Sequence, residues 1–231
     1  MKAASKTRER IVSISLALFN EHGERSISTN HIAAAADISP GNLYYHFANK
    51  QQIVAVLFAR YQGSVSQVLL PPVGAASGIE RLRDCVGGVI TAIWDYRFIY
   101  RDLEHLIQAD PALAADHQAF SVDCLREARN LLEGLCGCGM LDMTAQAQQA
   151  VAINAWLILT SWVRYLYTTL PAPAITPAAV RRGAWQALSL LQGFATPQAS
   201  SAVAALMAEF KGGDRAETSP RAMAPVSGTS A

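Results

Sequence analysis

An all-α fold is predicted by three features of this 231-residue sequence. Apolar side chains recur at helical spacing almost throughout, and the helix-favouring residues Ala, Leu, Gln and Arg are abundant. Neither an Asn-Gly or Asp-Gly hairpin turn nor an alternating β-branched run occurs. The first helix, 5–22, sets Ile11, Ile14 and Leu18 on one stripe and ends at Gly23, a residue suited to follow a last turn. A short second helix, 28–36, has hydroxyl residues at its start. The third is shorter still: Ser39 can cap it, Pro40 suits its first position, and Leu43 with Phe47 form an i, i+4 apolar pair. A longer helix, 49–70, follows and is ended by Pro71-Pro72 and the loose stretch 74–78. Further helices are read at 78–95, 98–109, 112–136, 144–170 and 177–194, with stops at Pro111, at the Gly- and Cys-rich turn 134–139, and at 171–177. The segment 197–231 carries one more short helix, 199–210, and past Gly212-Gly213 it loses periodicity, so disorder is expected there.

With 51% hydrophobic and 16% charged residues, the chain can bury a substantial core, which excludes disorder throughout. The formal charge of +1 gives no global sign of a polyanionic partner. Residues 1–60, however, hold seven basic and four acidic side chains, whereas 61–231 hold twelve and fourteen, so a basic head precedes a mildly acidic body. Cys85, Cys124, Cys136 and Cys138 are too scattered for a disulfide framework, and a reducing cytoplasm is the expected location. The basic start and the apolar run 11–19 mimic a signal peptide, but Glu9 interrupts the charges and no small-residue cleavage site follows. The most apolar stretch, 150–163, is broken by Asn154, Thr160 and Ser161 and is shorter than the roughly 20 residues that span a bilayer, so no membrane role is expected.

The sharpest signal lies in 28–50, where two short helices flank a tight turn at Asp37-Ile38 and the second opens Ser-Pro-Gly-Asn. That layout is a helix-turn-helix. The small residues Ala33 to Ala36 let the helices approach, while Ile32, Ile38, Leu43 and Phe47 supply a compact core. Asn42, Tyr44, Tyr45 and His46 are left on the outer side. Asn can pair with an adenine edge, and Tyr and His can reach phosphates or thymine methyls. Gly41 allows close approach of the helix N-terminus to DNA, where the helix dipole favours phosphate, and Lys50 reads as a plain phosphate contact.

Through Ile11, Phe19, Gly23, Thr29, Ile32-Ala33, Ala36, the string Ile38-Ser39-Pro40-Gly41-Asn42-Leu43-Tyr44-Tyr45-His46-Phe47 and Asn49-Lys50, the sequence resembles the tetracycline-repressor (TetR) family of bacterial regulators over about residues 6–66. The resemblance implies a three-helix DNA-binding head at 1–50, a connecting helix, and a larger helical ligand-binding and dimerisation domain at 71–196. It implies a homodimer on a palindromic double-stranded operator, and a small-molecule effector that releases DNA. Carried over by position, the DNA contacts fall on Thr29, Ser39, Pro40, Gly41, Asn42, Tyr44, Tyr45, His46 and Lys50. Asp37 departs from the family, which usually has Gly in the turn; Asp tolerates the left-handed conformation better than most residues.

The body lacks a Gly-x-Ser-x-Gly elbow, a phosphate-binding Gly loop, a His-Glu-x-x-His and a Cys-x-x-Cys, so no enzyme, cofactor or metal is expected. Its aromatic density suggests an effector cavity, with Trp94, Phe98, Arg101, Phe120, Trp156 and Arg164 as candidate ligand contacts. A buried arginine among them needs an anion, either Asp95, Asp102 or Glu104, or a ligand carboxylate. The helices near 144–170 and 177–194 are the candidate dimer interface, the first being apolar around most of its circumference. The fourth helix touches both domains and is expected to transmit ligand binding to the head. The alternative reading is an all-helical small-molecule binding or carrier protein whose head mediates protein contacts.

Overall fold

The computed structural model describes residues 2–70, 78–171 and 175–211, with side chains from residue 6 onward. Among the described residues there are ten α-helices and no β-strand. The expectations for 71–77 and for the tail beyond 211 lie outside this range.

The head is α1 (Lys2–His22), α2 (Thr29–Ala35) and α3 (Pro40–His46), with a 3-10 turn at Glu24–Ser26. The buried side of α1 is formed by Ile11, Val12, Ser15 and Phe19, whereas Ile14 and Leu18 are only half-buried. Ser15 is accommodated there because its hydroxyl donates to the Ile11 carbonyl at 2.8 Å. Local chemistry defines each short helix. Ser28 Oγ accepts from the His31 N–H at 3.2 Å while the Ser28 N–H donates to His31 Nδ1 at 3.3 Å, a reciprocal cap on α2. Ser39 Oγ accepts from the Asn42 N–H at 3.2 Å, and Pro40 occupies the first helical position of α3. Between them Asp37 sits at φ +48°, the left-handed conformation that the turn demands.

The long connector α4 (Lys50–Leu69) is capped by Asn49, whose Oδ1 accepts from the Gln52 N–H at 2.9 Å. Its buried face, including Ile53, Leu57, Tyr61 and Val65, packs on α1, α5 (Ile79–Asp95) and α7 (Pro111–Gly137). The body is completed by α6 (Phe98–Ala109), α8 (Ala145–Thr169), α9 (Pro177–Ser189) and α10 (Ser200–Phe210). The break expected at Pro111 is present, since α6 ends at Ala109, and Pro111 itself opens α7: Asp110 caps the Ala112 and Leu113 N–H groups, and a first-position proline forfeits no helical bond. The α9 helix ends at Ser189, short of 194, and gives way to a 3-10 turn at Gln192–Phe194. That turn is pinned to the α7–α8 connection, since the Asp142 N–H donates to the Phe194 carbonyl at 2.8 Å and the Thr196 N–H to that of Met140 at 3.0 Å.

Helices α8 and α9 lie in close contact. A Cβ on Gly183 would stand 2.6 Å from the Trp162 ring, and Trp162 Nε1 donates to the Ala179 carbonyl at 2.9 Å. On another side of α8, Ile153, Leu157 and Tyr165 are exposed at four-residue and eight-residue steps, a single helical stripe that the chain leaves uncovered.

Candidate nucleic-acid interface and junction cleft

Leu43 is fully buried and Phe47 nearly so, which turns the rest of α3 outward. Ser39, Pro40, Gly41 and Asn42 are exposed at its N-terminus, and Tyr44 and Tyr45 are 51% and 79% exposed, high values for aromatic side chains. His46 is half-buried, with its ring edge-on to Tyr45 at 5.1 Å between centroids. Thr29, at the start of α2, joins the same surface because its hydroxyl lies 3.1 Å from the Tyr44 hydroxyl. Eight of the nine expected contacts are thus grouped on or beside one short helix, whose first turn is closed by Pro40 and by the Ser39 cap on the Asn42 N–H.

Lys50 departs from its expected role. Its ammonium donates to the carbonyls of Glu24 at 2.9 Å and Ile27 at 2.8 Å and pairs with Glu24 Oε1 at 2.9 Å. All three donors are used inside the chain, so Lys50 fastens α4 to the turn after α1 instead of standing free for phosphate.

That turn is the centre of a polar joint between head and body. Asn20 Nδ2 donates to the Asp95 carbonyl at 2.7 Å, and Asn20 Oδ1 accepts from the Phe98 N–H at 3.1 Å. Gly23 has φ +89°, and a Cβ there would stand 2.5 Å from the Arg101 guanidinium. Glycine therefore lets Arg101 reach the end of α1, where it donates to the Phe19 carbonyl at 2.8 Å and complements the helix C-terminus. Asp102 accepts from the Glu24 N–H at 2.9 Å. Glu24 is buried, and among the described residues its Oε2 has no hydrogen bond; His105 Nε2 stands 3.6 Å away, beyond hydrogen-bonding distance.

Beside this joint, a cleft of about 290 Å³ opens between the turn, α6 and α8, and Arg25, Arg101, His105 and Arg164 line it. Two of the six candidate ligand contacts, Arg101 and Arg164, are brought together there. The four aromatics are placed elsewhere. Phe98 is fully buried against Phe19, 5.3 Å between centroids, and Trp94 lies beneath the Arg97 guanidinium at 4.1 Å. Phe120 and Trp156 belong to an aromatic cluster with Phe58 and Tyr61. The anions sought for the arginines are now defined: Arg164 pairs with Glu104 at 2.6 Å, and Arg101 lies 3.5 Å from Asp102. Among the described residues Arg97 has none and donates to the Trp94 carbonyl. Asn20, Glu24 and His105 are not marked by any local spacing because their partners lie far along the chain, and Arg25 is placed at the cleft only by the turn after α1.

Deeper in the body, the Tyr61 and Tyr100 hydroxyls meet at 2.9 Å, and burial pushes both phenols above their ordinary range. Burial, reinforced by Asp123 and Glu127, pushes the Cys124 thiol up to about 12. That is the setting of an inert structural thiol.

A capped helix-turn-helix on an all-helical body, joined through polar contacts beside a cleft, is the architecture of a DNA-binding regulator. Residues 11–57 match the family described as "Bacterial regulatory proteins, tetR family", and residues 60–203 match "Bacterial transcriptional repressor". The chain is 35% identical to a TetR-family transcriptional regulator from Marinobacter aquaeolei VT8, covering 88% of this chain and 98% of that one at a TM-score of 0.81. Among curated proteins it is 40% identical over 50 residues to the probable acrEF/envCD operon repressor of Escherichia coli K12, 22% of this chain and 23% of that protein. It is also 30% identical over 115 residues to the transcriptional repressor KstR2 of Mycobacterium tuberculosis, 45% of this chain and 54% of that one. These two matches therefore span about a quarter and about half of the curated relatives. The chain belongs to the TetR family of bacterial transcriptional regulators, proteins that are not enzymes and that bind operator DNA and small-molecule effectors. Among the described residues no helix is long and apolar enough to cross a membrane.

Proposed function

We propose that this chain is a cytoplasmic, ligand-responsive repressor that binds a palindromic operator as a homodimer and leaves it when an effector occupies the body. The observation that carries this reading is the exposed face of α3: Asn42, Tyr44 and Tyr45 project beside a capped helix N-terminus, with Thr29 alongside. Asn42 and Tyr45 make no side-chain hydrogen bond among the described residues and so are free for base edges and phosphates. The uncovered stripe of Ile153, Leu157 and Tyr165 on α8 supports a two-fold dimer built on α8 and α9, which would present two heads to half-sites spaced by turns of DNA. The net +3 of residues 1–60, presented twice, supports a salt-dependent phosphate attraction. Release would be a population shift between two head spacings, only one of which fits successive major grooves.

The test is selection of a binding site from random duplex DNA, followed by gel retardation with the wild type and an Asn42→Ala/Tyr45→Ala double variant. The double variant should lose about 100-fold or more in affinity for the selected site. Its dimer mass in light scattering should not change. Equal retention of both proteins, or wild-type affinity that ignores salt, refutes the reading in favour of a carrier whose head contacts protein.

A further inference from the structure

We infer that the junction cleft binds a small organic anion, a carboxylate on a short apolar stem, gripped by Arg25 from the head and by Arg101 and Arg164 from the body. The inference rests on the effector-release reading and supplies the chemical class of effector that it leaves open.

Charge is the first ground. Three guanidiniums line the cleft with two carboxylates, Asp102 and Glu104. Both carboxylates are engaged: Asp102 by the Glu24 N–H at 2.9 Å and by Arg101 at 3.5 Å, and Glu104 by Arg164 at 2.6 Å. Arg25 has neither hydrogen bond nor ion pair among the described residues, so one cation in the cleft lacks a countercharge. Arg101 and Arg164 each use one terminal nitrogen internally, which leaves other guanidinium donors for a forked contact to an incoming anion. Such a site repels cations, and a neutral ligand would leave Arg25 without a countercharge.

Shape is the second ground. Leu103 and Ile107 contribute apolar lining to the cleft, and Thr160 and Ser161 contribute hydroxyl residues. The Thr160 hydroxyl already donates to the Trp156 carbonyl at 2.8 Å and can only accept. At about 30 Å³ for each water-sized group, a cleft of about 290 Å³ holds on the order of ten non-hydrogen atoms. Benzoate and octanoate have that size, whereas inorganic phosphate leaves the apolar lining uncovered.

Position links occupancy to DNA. Arg25 belongs to the 3-10 turn that leads from α1 into the helix-turn-helix, while Arg164 lies on α8 of the body. An anion held by both ties the head to the body in one orientation, a differential contact of the kind a ligand needs in order to shift an equilibrium.

Calorimetric titration of the full-length chain tests the inference, with benzoate, octanoate, benzamide, hexanamide and inorganic phosphate as probes. At least one acid should bind once per chain while the amides and phosphate do not. Arg25→Gln and Arg164→Gln, checked for native circular dichroism, should each weaken that acid by about tenfold or more. The inference is overturned if no acid binds at about 10 mM, if amides bind as well as acids, if only phosphate binds, or if Arg25→Gln changes nothing. Retention of selected DNA separates the two ideas: DNA retained with no acid bound overturns the cleft assignment alone. Acid bound with no sequence-specific retention overturns the regulator reading alone.

Discussion

Asn20 should be the most damaging single polar residue to remove from the head. Its side chain is 7% exposed and serves two helices at once. Asp95 is the last residue of α5 and Phe98 the first of α6, so the Asp95 carbonyl and the Phe98 N–H are helix-end groups without an intrahelical partner. The Asn20 amide satisfies both, donating at 2.7 Å and accepting at 3.1 Å. In Asn20→Leu the branched shape of four side-chain heavy atoms is kept, but one buried acceptor and one buried donor are orphaned. At about 1–3 kcal/mol each, partly offset by the apolar side chain, the net loss is about 3 kcal/mol. For a chain of this length each kcal/mol moves the melting temperature by about 2–4 °C, so scanning calorimetry should show a fall of about 6–12 °C. Asn20→Asp keeps the acceptor for Phe98 but sets a carboxylate against the Asp95 carbonyl, and should be as damaging at neutral pH. A fall of less than about 2 °C in Asn20→Leu would refute the claim that this amide joins head to body.

Asp37 at φ +48° carries backbone strain that glycine would relieve. Asp37→Gly should raise the urea midpoint by about 0.5–1 kcal/mol equivalent, and Asp37→Val should lower it by about 1–2 kcal/mol. The buried pair Tyr61 and Tyr100 should be non-additive: either Tyr→Phe change strands the other hydroxyl at a cost of about 1–2 kcal/mol, and the double variant should cost no more than either single one in the same denaturation assay. Burial holds the His117 imidazole below its ordinary pKa, and among the described residues its Nε2 has no hydrogen-bond partner. The unfolded chain therefore takes up this proton first, and stability is lost as pH falls from about 6.5 towards the lower native value. His117→Phe, which keeps a ring against Phe58, should flatten that part of the stability–pH curve in urea midpoints measured at neutral and mildly acid pH.

The head was legible because its signals are local. Ser39 and Pro40 announce a helix start, and Leu43 with Phe47 announce its buried side, within a span of nine residues. The buried side of α1 was less so: Ser15 replaces an apolar residue in the inward stripe by returning its hydroxyl to the backbone, which a hydrophobic pattern cannot register. Lys50 reads as a surface cation until the turn of Glu24 folds back onto it. The joint was illegible because its bonds cross about eighty residues, from Asn20 to Asp95, Phe19 to Arg101 and Glu24 to Asp102. Residue type alone could only require that a buried arginine find an anion or carbonyl, and the six candidate ligand contacts divided accordingly between core packing and cleft.

We propose that the joint is a second route, beside α4, by which a signal would reach DNA. Transmission through α4 alone meets a difficulty, since α4 is packed along its buried face on α1, α5 and α7 and is fastened to the head by the Lys50 ion pair. A tightly packed helix moves little by itself. The contact of α1 and its following turn with α6 is built differently, from one aromatic pair, Phe19 on Phe98, and single polar ties made by Asn20, Arg101 and Asp102. Polar ties exchange partners in discrete steps, which is what a two-state element requires. Arg101 and Asp102 belong to that joint and also line the cleft, so on the proposal above a ligand held there would act on the joint directly. In that arrangement α4 acts as the lever that keeps α2 and α3 in register, and the α1–α6 contact supplies the pivot.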